Sequence, residues 1–209
     1  MKKIFLFTLI FVFVVSGAVL GADWQEKLSF NGGIYYTEFA SQFYVDGSEA
    51  SAPWPDYVQE GISSGIGYNV RGFYKINNNF SVGLGYDQAK GSYTEDTEEG
   101  FSRISGFELI GNYMFNPMFT VDVAYASYNY KFEAQNEGAS EPFYEMMGNG
   151  PGYKVGLSYN YELKQNAVLN VYGGYRSTDI SLTDGDYTTN NADFDMSGYF
   201  VGVGVSVDY

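Results

Sequence analysis

The stretch Tyr199-Phe-Val-Gly-Val-Gly-Val-Ser-Val-Asp-Tyr209 decides the fold. Every odd position is Tyr or Val, and the even positions are Phe200, Gly202, Gly204, Ser206 and Asp208. Side chains on a strand alternate faces, so this strand has one apolar face and one mostly small, polar face. Aromatics bracket the apolar face, as a strand needs where it crosses both interfaces of a bilayer. The stretch advances about ten steps of ~3.3 Å; tilted by ~40° it climbs ~25 Å, the height of the apolar band of a transmembrane barrel.

The other end of the chain is a secretion signal. Met1-Lys-Lys is basic, residues 4–15 are apolar except for Thr8, and Ser16-Gly-Ala-Val-Leu-Gly-Ala22 is mostly small. This assigns 1–22 as a signal peptide, cut after Gly21 or Ala22, and 23–209 as a single barrel domain. The apolar run is too short for an anchor helix, and no charged stop-transfer flank follows it. A mature chain held in a membrane must then be a closed barrel, which satisfies every backbone group in lipid.

Composition narrows the chemistry. There is no cysteine, so neither disulfides nor a lipid-attached amino terminus are expected, and no histidine, which removes His-dependent hydrolysis and the usual zinc sites. No cofactor is expected. Tyr at 21 copies and Gly at 26 suit aromatic girdles around a crowded interior. Loss of Lys2 and Lys3 takes the net charge from −14 to −16. Such a chain does not bind nucleic acid non-specifically, because phosphate contacts need Lys and Arg.

Eight stretches carry alternation or strong β composition: 28–39, 62–76, 80–91, 101–115, 119–132, 152–163, 167–181 and 194–209. Asn77-Asn-Asn79, Asn116-Pro-Met118 and Lys164-Gln-Asn166 are tight turns; 40–61, 92–100, 133–151 and 182–193 are long loops. This predicts an all-β, eight-stranded antiparallel up-and-down transmembrane β-barrel, short turns at the periplasmic end and long loops outside. The faces of 101–115 are the least clear: Phe107, Leu109, Tyr113 and Phe115 oppose Ile104, Ile110 and Met114.

Signal segment, eight strands, alternating short and long connections and a terminal aromatic together resemble the small bacterial outer-membrane β-barrel proteins of the OmpA/OmpX type. The resemblance implies a place in the bacterial outer membrane. It also implies that Tyr199, Val201, Val203, Val205, Val207 and Tyr209 act as the signal read by the barrel-assembly machinery, with Tyr209 where Phe is usual. It is one of architecture, so no functional residue carries over. No peptidoglycan-binding domain is expected after the last strand.

On the inward face fall Arg71, Lys75, Lys154 and Arg176 against Asp87, Glu108, Asp122, Glu162 and Asp208. Near-balance suits a salt-bridged plug, since an unpaired buried charge costs several kcal/mol. Inward glycines such as Gly67, Gly85, Gly202 and Gly204 would make room for it. A narrow ion path is the other reading; eight strands leave little lumen, which favours the plug.

The four loops hold fifteen carboxylates and no base. Either this is a solvated face, or it binds divalent cations that bridge lipopolysaccharide or order the loops. Glu95, Asp96, Asp184 and Asp186 are the weak metal candidates, in no EF-hand spacing. Trp54, Tyr57 and Phe143-Tyr-Glu-Met-Met147 are either recognition residues or packing across the mouth. The expected function is a non-enzymatic outer-membrane barrel with an envelope-structural or surface-interaction role, in contact with outer-membrane lipid and lipopolysaccharide. The alternative is a narrow cation-preferring pore, favoured by an acidic mouth.

Overall fold

The computed structural model describes residues 27–40, 42–50, 63–95, 98–136, 144–164, 166–185 and 192–208. The signal segment, Trp54, Tyr57, Asp96, Phe143, Asp186 and Tyr209 lie outside them. In chain order the strands are β1 (Leu28–Glu38), β2 (Gln42–Val45), β3 (Ser48–Ala50), β4 (Ser64–Lys75), β5 (Phe80–Glu95) and β6 (Glu98–Asn116). Then come β7 (Phe119–Asn136), β8 (Tyr144–Lys164), β9 (Ala167–Gly185), β10 (Ala192–Asp195) and β11 (Gly198–Asp208).

Closure comes from the strand that opened the sequence reading. Val203 of β11 lies opposite Ile34 of β1 on one side and Val171 of β9 on the other. The eight long strands β1, β4 to β9 and β11 thereby form a closed antiparallel barrel with no helix among the described residues. Period-2 alternation holds on every wall. Ile34, Ile66, Leu84, Leu109, Val155 and Val203 all point outward and are exposed, Ile66 at 72%. In water such a surface would aggregate; in lipid it is the solvent-matched face. On β6, Phe107, Leu109, Tyr113 and Phe115 face out while Ile104 and Ile110 are buried.

Aromatic pairs bracket this belt. Above it Tyr86–Phe107, Tyr125–Tyr153 and Tyr175–Tyr199 have ring centroids 5.4, 5.4 and 5.1 Å apart. Below it Tyr113–Phe115 and Phe119–Tyr159 are 5.0 and 5.4 Å apart. The short turns lie at the lower end, where asparagine closes them. Asn77 Oδ1 accepts from the amides of Asn79 and Phe80 at 2.9 Å each, and Asn116 Oδ1 from Met118 and Phe119 at 2.9 and 3.0 Å.

At the upper end the structure corrects the sequence reading. Much of what was expected as loop at 92–100, 133–151 and 182–193 is strand, because β5 to β9 continue far above the girdle. Glu95, Glu133, Glu145 and Asp184 sit on these strands, and Asp193 sits on β10. The physical reason is a change of solvent on the outer face. On β7, Ser127, Asn129, Lys131 and Glu133 point out into water, while Tyr128, Tyr130, Phe132 and Ala134 point in. That is still alternation, with polar residues on the side that lower down is apolar.

The upper lumen is filled differently from the charged interior read from the sequence. It is a hydrophobic core of Ile104, Tyr128, Phe132, Met146, Ile180, Phe194 and Met196 with Phe39 and Phe43. The sheet is completed there by β10, which pairs with β9 and β2, and by the β2–β3 hairpin. Asp46 and Gly47 turn that hairpin at φ 51° and 73°, the left-handed pair that an Asp-Gly turn supplies.

A closed ladder of this kind resists detergent. The folded protein is expected to stay intact in SDS at room temperature and to change gel mobility on boiling. An unchanged band would contradict the barrel.

Candidate functional site: a charged layer across the lumen

At the level of the upper girdle, six of the nine lumen residues named from the sequence meet. Arg71 Nε lies 3.2 Å from Glu108 Oε2, and its Nη1 lies 3.6 Å from Asp122. Lys154 Nζ bridges Glu108 Oε1 at 2.9 Å and Asp87 Oδ1 at 3.2 Å. Arg176 Nη1 donates to Asp87 Oδ2 at 3.2 Å. Three cations thus face three carboxylates in one chain drawn from six different strands. Asp87 and Glu108 are fully shielded from solvent, so every charge needs its partner.

The other three do not join. Lys75, Glu162 and Asp208 are exposed at the periplasmic rim, Lys75 and Asp208 bordering a cavity of about 190 Å³. The lumen opens to water there, so these charges are solvated and need no partner. The cavity is polar: Asn31, Asn170, Asn160, Thr120 and Ser206 form a hydrogen-bonded chain with links of 2.7 to 3.0 Å. Above it, beside Lys154 and Phe200, the free space falls to about 10 Å³, room for one water at most.

Sequence reasoning missed the neutral half of the layer. Tyr35 donates to Asp87 at 2.8 Å, and Tyr128 donates to Asp87 and Glu108 at 3.3 and 3.4 Å. Thr37 accepts from Arg176 at 3.3 Å. The Lys154 ammonium lies over the Phe200 ring at 4.9 Å, and the Arg176 guanidinium over Phe39 at 4.9 Å. The available signal was parity: Tyr35, Thr37, Tyr128 and Phe200 sit on the inward positions of their strands. The inward glycines serve these aromatics as much as the charges. A Cβ on Gly67 would fall on the Tyr35 ring, and one on Gly33 would lie 2.6 Å from the Tyr172 hydroxyl.

Of the three carboxylates, Asp87 and Glu108 are buried and clamped by cations, while Asp122 is half-buried, borders the polar cavity and accepts from Asn112 at 2.6 Å. Of the weak metal candidates, Asp96 and Asp186 lie outside the described residues, and only the backbones of Glu95 and Asp184 fall within them, on β5 and β9. Among the described residues no group of three carboxylates is arranged to hold a metal. Of the third-loop residues, Met146 is buried in the upper core opposite Phe132, the packing alternative.

On the outer wall above the girdle, Asp179 stands opposite Asp195 with Asp193 close by. Partial burial first, then repulsion from these two carboxylates, raises the Asp179 carboxyl above its ordinary range.

No protein-family model matches the chain, and no curated protein matches it in sequence. Solved structures do. Ail, the attachment invasion locus protein of Yersinia pestis, solved with the heparin analogue sucrose octasulfate, aligns with TM-score 0.52 at 14% identity, over 87% of this chain and 99% of that one. Neisserial surface protein A aligns with TM-score 0.51 at 16% identity, over 87% and 97%. The fold is that of the small eight-stranded outer-membrane β-barrels. Its apolar belt between two aromatic girdles suits it to span a lipid bilayer.

Two outcomes follow. Lys154→Met leaves Asp87 and Glu108 facing each other with fewer cations and is expected to cost roughly 3–5 kcal/mol in urea unfolding. Adding Glu108→Gln should recover part of this, since the two residues are directly coupled. For Asp179 the sign is the reverse of the usual carboxylate. A raised folded-state pKa favours folding below the unfolded-state value, and that contribution is lost as pH rises through the folded value. Asp179→Asn should therefore increase hydrogen-exchange protection of β10 at pH 7 and make little difference at acid pH.

Proposed function

We propose that this protein is a non-enzymatic outer-membrane barrel with an envelope-structural or surface-interaction role, and that it does not conduct ions. The observation that carries this reading is the order of materials along the lumen. A polar cavity open to the periplasm ends at the charged layer, and an apolar core fills the barrel above it. An ion moving outward would have to break the chain from Arg71 to Arg176. It would then cross Tyr128, Ile180 and Phe194, where little can replace its hydration shell. The cation-pore reading needs a continuous wet path, which this packing disfavours.

A structural or surface role also fits the clamped carboxylates and the missing His and Cys. The walls offer a broad outer surface: β7 runs on from Tyr125 to its end, a rise of ~28 Å above the girdle. Outer-membrane lipid and lipopolysaccharide would surround the belt, and the barrel-assembly machinery would read the β11 pattern during insertion. Glu95 and Asp184, on the upper parts of β5 and β9, would attract divalent cations from that layer.

Single-channel recording in a planar bilayer tests the reading. Inserted protein, verified by its heat-dependent gel mobility, should give no discrete steps. Reproducible cation-selective steps would establish the pore instead.

A further inference from the structure

The water-facing outer wall carries two flanks of opposite sign. On one, Lys90 of β5 lies directly opposite Arg103 of β6, and Arg103 opposite Lys131 of β7. Four strands round the barrel, Asp179, Asp193 and Asp195 make an acidic flank on β9 and β10. The cationic row is costly on its own terms, because like charges directly opposite on adjacent strands destabilise a sheet. Lys131 is compensated, with Glu133 and Glu145 each 2.8 Å from its Nζ. Lys90 and Arg103 are exposed and make no ion pair among the described residues. In a chain of net charge −14 with 11 bases, these two stand side by side.

Their height is informative. Lys90 is four residues beyond Tyr86, and Arg103 four residues before Phe107, the girdle pair whose rings meet at 5.4 Å. Four residues on a tilted strand climb ~10 Å, close to the level of the headgroups above the hydrocarbon. Long basic side chains extend back toward that layer. Below the two cations, Tyr68, Tyr86 and Phe107 form a continuous aromatic surface, with Tyr68 and Tyr86 centroids 6.4 Å apart.

We propose that Lys90 and Arg103 form a seat for the phosphate of an outer-leaflet lipid, whose acyl chains lie against Tyr68, Tyr86 and Phe107. The seat rests on the outer-membrane placement of the barrel and is independent of whether it conducts. A lipid phosphate fits better than the acidic flank of a second copy because the aromatics beneath supply an acyl surface that a carboxylate partner would not use.

The test uses the full barrel in phosphatidylcholine bilayers with spin-labelled phosphatidic acid or phosphatidylcholine as probe. The protein-restricted fraction of each probe is read by electron paramagnetic resonance. The wild type should favour phosphatidic acid by about five-fold or more at low salt, since one base near the surface is worth roughly that factor. The preference should fade at molar salt, where screening is short-ranged. K90Q/R103Q should bring the two probes close to parity, while K27Q/K75Q, at the periplasmic rim, should leave the preference intact. Heat-dependent gel mobility verifies folding of each variant.

Parity in the wild type, a preference retained by K90Q/R103Q, or one lost only in K27Q/K75Q would overturn the seat. So would displacement by equimolar inorganic phosphate, which would mean that the lipid is not recognised. A salt-sensitive cross-linked dimer, lost equally in K90Q/R103Q and D179N/D193N/D195N without any lipid preference, would assign the row to a second copy. Failure of the non-conducting reading would appear as current steps and not in these spectra.

Discussion

Hydrocarbon contains nothing that can hydrogen-bond a peptide group, and the whole molecule follows from that constraint. Each unpaired N–H or C=O left in lipid costs several kcal/mol, so a membrane sheet cannot have an edge. Here the edge is removed where β11 pairs with β1 on one side and β9 on the other. Everything else is arranged around a cylinder that must close on itself. The outer surface must be apolar between the girdles, and the inner one must be filled by whatever the same strands carry on alternate positions.

Filling is the harder condition. An eight-stranded barrel encloses little more than its own side chains. Glycines at Gly33 and Gly67 let Tyr172 and Tyr35 lie across the lumen, and those hydroxyls then help satisfy the buried polar groups. The charged layer solves the same problem at higher stakes. Arg71, Lys154 and Arg176 balance Asp87, Glu108 and Asp122, and because they come from six strands the layer ties opposite walls together. Above it, where water bathes the wall from outside, an ordinary hydrophobic core takes over. The barrel is lipid-solvated and polar-filled below, water-solvated and apolar-filled above.

That inversion explains which parts of the sequence were legible. Within the membrane, alternation of apolar and small residues marked β11, β5 and the lower part of β7 unmistakably. Above the girdle the outward face turns polar, so the stretch from Ser127 to Glu133 has the composition of a loop although its inward residues are Tyr128, Tyr130 and Phe132. Counting carboxylates there pointed to an acidic cap without bases. Once the strands are extended, Lys90, Arg103 and Lys131 rise onto the outer wall, and the charge is divided by flank rather than by end. The hairpin around Asp46-Gly47 falls in a stretch read as loop, because its strands are too short to stand out.

The sequence by itself determined the class of fold, the face that every strand but β6 turns to lipid, the short turns and the charged residues that enter the lumen. These depend on a two-residue period and on turn chemistry, both local properties. The tertiary structure alone decided which charges pair, which stay at the rim, where the strands end and what fills the upper lumen. Those depend on shear and strand tilt, which set the height of every residue relative to its neighbours three or four strands away. Arg71 and Lys75 share a strand and a face, yet one is locked beneath the upper girdle and the other stands in water, because only the closed barrel assigns them different depths.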